Sequence, residues 1–171
     1  LPIYNGIYDA INKGIKLANG NLVIILNSDD QFYDNNVFNI ILDNFKKNNV
    51  DILYGNIVYC SKKNENKIVR VWKSNHFKKD AFLKGWSPPH PSFVVKKEIY
   101  EKFGLYYNEL GNPADIELMH RFLEKYKLKN LYINNFLVKM RLGGRSNASI
   151  LNIIKQNFTI IKILKIKNLN L

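Results

Sequence analysis

The sequence predicts an α/β domain built on a mixed sheet, and three observations carry that prediction. Short apolar runs rich in β-branched residues alternate with stretches of helical period. Gly, Asn and Pro punctuate the joints between them. The 171 residues, 46% hydrophobic and 13% aromatic, suffice for one buried core and argue against disorder.

In chain order, residues 8–18 read as a helix, because Ile7, Ile11, Ile15 and Ala18 share a face and Asn19-Gly20 ends it. Residues 22–26, Leu-Val-Ile-Ile-Leu, are too short for a helix and read as a buried strand. Residues 37–47 return to helical spacing through Val37, Ile40, Ile41, Asn44 and Phe45. Residues 51–59 and 67–72 are expected strands, joined by a polar hairpin loop. A short helix is expected at 77–83. Pro88, Pro89 and Pro91 then stiffen the loop from Trp86 to Ser92 by fixing φ and removing donors. Residues 92–95 read as a strand and 97–103 as a helix closed by Gly104. A helix over 115–126, an extended segment over 131–141 and a helix over 150–167 complete the pattern.

The single cysteine, Cys60, excludes an internal disulfide and fits a reducing compartment. No apolar stretch approaches the roughly 20 residues of a membrane-spanning helix. The chain opens on Leu-Pro-Ile-Tyr-Asn-Gly, with neither a leader-like start nor an initiating Met, so it is expected to begin inside a longer protein. The net charge of +12 comes from lysines scattered along the chain, which also abounds in Asn and Ile. A solvated surface shaped by A/T-rich codons accounts for it, with anionic lipid or a phosphate-bearing substrate as the other reading.

Asn27-Ser28-Asp29-Asp30 follows the first expected strand, where open α/β sheets place their ligand crevice. Adjacent carboxylates repel unless a cation lies between them, and a hard divalent ion that also takes diphosphate oxygens meets that need. Asp at such a turn also caps the next helix, and the residues alone leave both readings open.

The motifs Gly6-Ile-Tyr-Asp-Ala-Ile-Asn-Lys-Gly-Ile with Ala18-Asn-Gly, Leu26-Asn-Ser-Asp-Asp, His90-Pro-Ser-Phe-Val-Val-Lys-Lys, Gly104 before an aromatic pair, Ala114-Asp-Ile-Glu-Leu-Met-His-Arg and Gly143-Gly-Arg-Ser-Asn run in this order. Together they resemble a family-two glycosyltransferase of the glycosyltransferase-A fold, in the subgroup making bacterial surface polysaccharides. The resemblance implies a Rossmann-like mixed sheet with flanking helices. Residues 1–148 would form the C-terminal two-thirds of the catalytic domain, truncated at its N-terminal part, and 149–171 an amphipathic helix. It implies inverting transfer of a sugar from a nucleotide-diphosphate sugar to a glycan or lipid-linked acceptor, assisted by Mg²⁺ or Mn²⁺. The expected place is the cytoplasm or the inner face of the cell membrane, with no nucleic acid partner. The rival reading is a non-catalytic basic remnant that binds anionic lipid or nucleic acid, and the missing first part favours it.

Carried onto this chain, the resemblance makes Asp29 and Asp30 the metal pair, Asp29 first, while Asn27 replaces the motif's first acid and either serves through its amide oxygen or contacts the sugar. Asn12 and Gly14 match the helix beneath the sugar diphosphate. Asp9 and Lys13 lie in the same motif, each with a plainer use as helix cap and solvated lysine. Asp115 matches the general base that takes the acceptor hydroxyl proton, a role set against simple capping. His90 matches an acceptor-side loop and equally a structural histidine. Arg145 lies in the loop expected to close over the diphosphate. Glu117 is expected to pair with His120 or Arg121. His76 and His120 carry no motif, and Trp72 and Trp86 read as core aromatics more readily than as sugar-stacking platforms. On the last helix Ile150, Ile153, Ile154, Phe158, Ile161 and Leu164 form an apolar face with Lys155, Lys162 and Lys165 beside it, suited to docking on the domain or to an anionic membrane surface.

Overall fold

Residues 6–142 are described by a computed structural model of the chain. Arg145, the Gly143-Gly144 loop and the helix expected at 150–167 lie outside the described residues.

The elements run α1 (Ile7–Leu17), β1 (Leu22–Val23), β2 (Gln31–Phe32), α2 (Val37–Lys47), β3 (Ile52–Cys60), β4 (Ile68–Trp72), β5 (Val94–Lys96), α3 (Lys97–Phe103), α4 (Ala114–His120) and β6 (Asn130–Arg141). The strands form one mixed sheet in the order β1-β5-β3-β6-β2, with β4 on the far half of β3. Among the described residues only β3 and β6 run parallel, and the other pairings are antiparallel. The mixed α/β architecture predicted from the residues is therefore what forms.

β3 is the central strand and is buried along nearly its whole length, because helices cover both faces of the sheet. Ile52 and Tyr54 join a core with Ile15 of α1, Tyr100 of α3 and Leu118 and Phe122. Leu53 and Ile57 join a second core with Val37 and Ile41 of α2 and with Leu137 and Val138 of β6. Gly55 lets β6 come close, since a Cβ there would stand 2.7 Å from the Asn135 carbonyl oxygen. The β3–β6 register shifts at that place.

The structure departs from the sequence reading in four places. The apolar run 22–26 pairs only at Leu22 and Val23, antiparallel to β5 at the edge of the sheet. Ile24 to Leu26 continue unpaired along a groove, so the Asp pair stands beyond the strand and not at its tip. The helix expected at 77–83 reduces to a 3₁₀ turn over Phe82–Lys84, because Asp80 adopts φ 63°, which no helix tolerates. The helix expected over 115–126 begins at Ala114 and widens into a π turn over Arg121–Lys125. β2 was not foreseen, being two residues long with no alternation to announce it.

Candidate active site

One face of α1 looks onto a mostly apolar groove with an acidic end, and a neighbouring face onto a cluster of polar side chains. Ile7, Ala10 and Gly14 line a groove of about 1010 Å³ whose other walls are β1, residues 24–30, Tyr59, Met140 and Arg141. Tyr8 and Asn12 face a cluster built around Asp115.

In the groove the two acids are not equivalent. Asp30 is buried, and its carboxylate accepts the Asn27 side-chain amide at 2.9 Å together with the backbone N–H groups of Asn27 and Arg141. Burial raises its pKa, with those hydrogen bonds opposing the shift. Asp29 is exposed. Asp30 thus ties the turn to the end of β6, and Asp29 presents the carboxylate to the groove. Among the described residues no group of three or more His, Cys, Asp or Glu is gathered as a protein-only metal cage. One exposed carboxylate at the edge of a groove still fits Mg²⁺ or Mn²⁺, which takes one or two carboxylates and completes its shell from phosphate and water. Asn27 donates its side-chain amide to Asp30 and also lines the groove.

The Asp115 cluster is built by three segments. Asp115 sits half-buried in the first turn of α4, where its Oδ1 accepts the Ile116 N–H at 2.7 Å. His90 comes from a 3₁₀ turn over His90–Ser92, and Ser92 fastens that turn to β3 by donating its hydroxyl to the carbonyls of Gly55 and Pro89, both at 2.9 Å. The His90 Nε2 lies 2.8 Å from the Tyr106 hydroxyl. Tyr8 stacks on Tyr106 with centroids 5.3 Å apart, and its hydroxyl donates to the Asn112 carbonyl.

Burial raises the Asp115 pKa, against a lowering by His90 and by backbone N–H groups. Burial lowers that of His90, with Asp115 opposing. The tyrosines Tyr8, Tyr100 and Tyr106 are pushed up by burial and stay protonated at neutral pH. A neutral imidazole therefore neighbours a carboxyl held above the ordinary 3.8, the direction in which a carboxylate becomes a better base near neutrality.

Comparison with known proteins decides the family. The model of glycosyl transferase family 2 matches residues 2–104. The chain belongs to glycosyl transferase family 2. Among solved structures, this family-two chain is similar to S. aureus TarS residues 1–349, crystallised in complex with UDP, with a TM-score of 0.56 at 11% identity. The match covers 94% of this chain and 45% of the TarS chain, so the family-two chain spans under half the length of that protein. That likeness establishes the glycosyltransferase-A-like fold. No curated protein matches the chain significantly.

Several residues of the family-two motifs are engaged with the protein itself. Lys13 pairs with Asp9 at 2.7 Å, one turn apart on α1. Asn12, buried, donates to the Tyr106 carbonyl and to Asn108 Oδ1, both at 2.8 Å, and accepts the Tyr106 N–H at 3.0 Å. Its amide anchors a loop and has no N–H left for a donor sugar. Gly14 opens onto the groove, and a Cβ there would meet nothing within 4 Å.

Glu117 pairs with Arg121, whose Nε donates at 3.1 Å, and not with His120. The Arg121 guanidinium, almost fully buried, also donates to the carbonyls of Phe103 and Leu105 and lies 4.6 Å from the Tyr107 ring centre. Gly104, at φ 90°, makes room for it, as a Cβ would stand 3.0 Å from Arg121 Nη1. Trp86 packs among Tyr54, Phe77 and Phe82, a core use. Sequence reading gave no role to Tyr106, Ser92 or Arg141, while Arg121 is one of the two partners expected for Glu117. Only Tyr106 left a trace, in the aromatic pair after Gly104.

Proposed function

We propose that this chain carries the site of a metal-dependent, inverting glycosyltransferase that moves a sugar from a nucleotide-diphosphate sugar to a glycan or lipid-linked acceptor in cell-surface polysaccharide synthesis. The observation that carries the proposal is the half-buried Asp115 carboxyl in the first turn of α4, within electrostatic reach of a His90 whose ring meets the Tyr106 hydroxyl at 2.8 Å. The UDP held by TarS supports a uridine nucleotide as the donor's leaving group.

In this reading Asp115 takes the proton from the acceptor hydroxyl as its oxygen attacks the anomeric carbon. The bond from that carbon to the diphosphate oxygen breaks with inversion, and the nucleoside diphosphate leaves with the bonding pair. His90, its ring held by the Tyr106 hydroxyl, lies within electrostatic reach of the base, and the Ile116 N–H fixes one of the base's oxygens. Asp29 is the groove carboxylate that would hold Mg²⁺ or Mn²⁺, which supplies charge neutralisation for the leaving diphosphate. No described helix is long and apolar enough to cross a membrane. We place the protein in the cytoplasm or peripherally at the inner membrane face, where its net charge of +12 favours anionic lipid.

One observation favours a second reading, a domain that binds without turnover. Asn27 stands in the first acidic position and Asp30 is committed to the turn, which leaves a single groove carboxylate. Incubating the full-length protein with labelled UDP-sugars, Mn²⁺ and a panel of lipid-linked acceptors separates the two. Product of inverted anomeric configuration, lost in Asp115→Asn, supports the enzyme. Tight UDP-sugar binding with no product in any arm supports the binding module and sinks the catalytic proposal.

A further inference from the structure

Arg141 closes β6 and lines the groove together with Asp29 and Asp30. Its backbone N–H hydrogen-bonds the Asp30 carboxylate, so this side chain leaves the chain at a point fixed against the acidic turn. Its Nη2 donates at 3.1 Å to Glu65 Oε2, and Gln31, the residue after Asp30, donates its Nε2 to the same oxygen at 2.9 Å. Glu65 stands on the loop joining β3 and β4. One carboxylate oxygen thus receives two side chains from the groove's rim.

We propose that Arg141 is the cation that receives the diphosphate of the donor, and that Glu65 occupies it until the donor arrives. The inference rests on the nucleotide-sugar reading of the groove given above. The Arg141 and Glu65 side chains are 39% and 51% exposed, and an ion pair so open to water adds little to stability. Such a pair exchanges readily for a stronger one. A diphosphate offers several charged oxygens to the two-pronged guanidinium, a geometry a single shared carboxylate oxygen does not supply. Arg70, packed over Tyr59 at 5.2 Å on the neighbouring strand, adds positive charge to the same rim. The Glu65 contacts also bridge the hairpin loop to β2 and β6, and the Gln31 bond keeps that loop tied to β2 when Arg141 leaves.

The experiment is a calorimetric titration of the full-length protein with UDP, in Mn²⁺ and separately in chelator, for the wild type, Arg141→Gln, Arg141→Lys and Glu65→Gln. Loss of a charge-assisted bond is expected to weaken UDP binding by about tenfold to a hundredfold in Arg141→Gln. Arg141→Lys, which keeps the charge and loses the fork, falls between. Glu65→Gln removes the competitor and tightens UDP, with the largest gain in chelator, where no metal shares the load. Uridine, which lacks phosphate, binds all four alike. UDP affinity within twofold of wild type in Arg141→Gln, or a weakening in Glu65→Gln, overturns this proposal while leaving the nucleotide reading intact. A wild type that binds no nucleotide in either condition removes the nucleotide reading, and this proposal with it.

Discussion

Asn12 grips the backbone of Tyr106 from both sides, accepting its N–H at 3.0 Å and donating to its carbonyl at 2.8 Å. The two residues are 94 positions apart, and the grip joins α1, which walls the groove, to the loop whose Tyr106 hydroxyl meets His90. Asn12 thus sets the spacing between the groove and the Asp115 cluster.

Replacing Asn12 by Ala strips buried backbone groups of their partner, each worth about 1–3 kcal/mol when left unsatisfied. Asn12→Ala is expected to lower unfolding stability by roughly 2–4 kcal/mol in urea titration. Asn12→Asp keeps the acceptor for the Tyr106 N–H, loses the donor, and falls between. A change under about 1 kcal/mol in Asn12→Ala would show that water restores the bonds and that the grip is incidental.

Asp115 ties activity to a stability cost. Its folded-state pKa is raised above the ordinary 3.8, so the folded protein holds this proton more tightly than the unfolded chain does. Folding is therefore favoured by this group at low pH, and that contribution is lost as pH rises from about 3.8 through the raised value. Asp115→Asn is expected to stabilise the protein at pH 7 and to bring no gain at pH 3, as read by thermal melts at both. In the same variant kcat falls by about 10² to 10⁴ while donor affinity holds. A variant that melts with the same difference from wild type at both pH values would refute the raised pKa.

The two groove acids separate in the same way. Asp29→Ala changes stability by at most about 0.5 kcal/mol, as an exposed side chain should, and loses Mn²⁺ binding in the presence of UDP. Asp30→Ala deprives the Asn27 amide and the Arg141 N–H of their acceptor and lowers stability by about 1–3 kcal/mol. Electron paramagnetic resonance of free Mn²⁺ and urea titrations check both halves. A metal site lost only in Asp30→Ala would reverse the assignment.

Where sequence reading succeeded, the signal was local. α2 fills 37–47 and α3 fills 97–103 as read, because each has a closed apolar period and α3 ends on a glycine at φ 90°. The misses are tertiary. Nothing in Leu-Val-Ile-Ile-Leu says that only Leu22 and Val23 find a partner strand, since pairing depends on what lies beside them. The π turn at Arg121 carries no Gly or Pro marker, and coincides with a buried guanidinium reaching back to Phe103 and Leu105. At the site, motif order named Asp115 and His90 separately, and the fold sets them together. The Asn12 grip and the Ser92 tie are side-chain bonds to distant backbone, which leave no periodic trace.

Gly14 tests whether anything docks on α1 at all. A glycine inside a helix costs roughly 0.5–1 kcal/mol relative to alanine, and no atom lies within 4 Å of a Cβ placed at this position. Packing alone therefore favours alanine, and Gly14→Ala is expected to raise unfolding stability by about that amount. If the donor lies against this wall, the added methyl meets it, and crowding of a packed contact costs about 1–3 kcal/mol. The donor KM then rises by roughly fivefold to a hundredfold with little change in kcat. A more stable protein with an unchanged donor KM would move the donor off this face of α1, and with it the reading of the groove between α1 and Asp29.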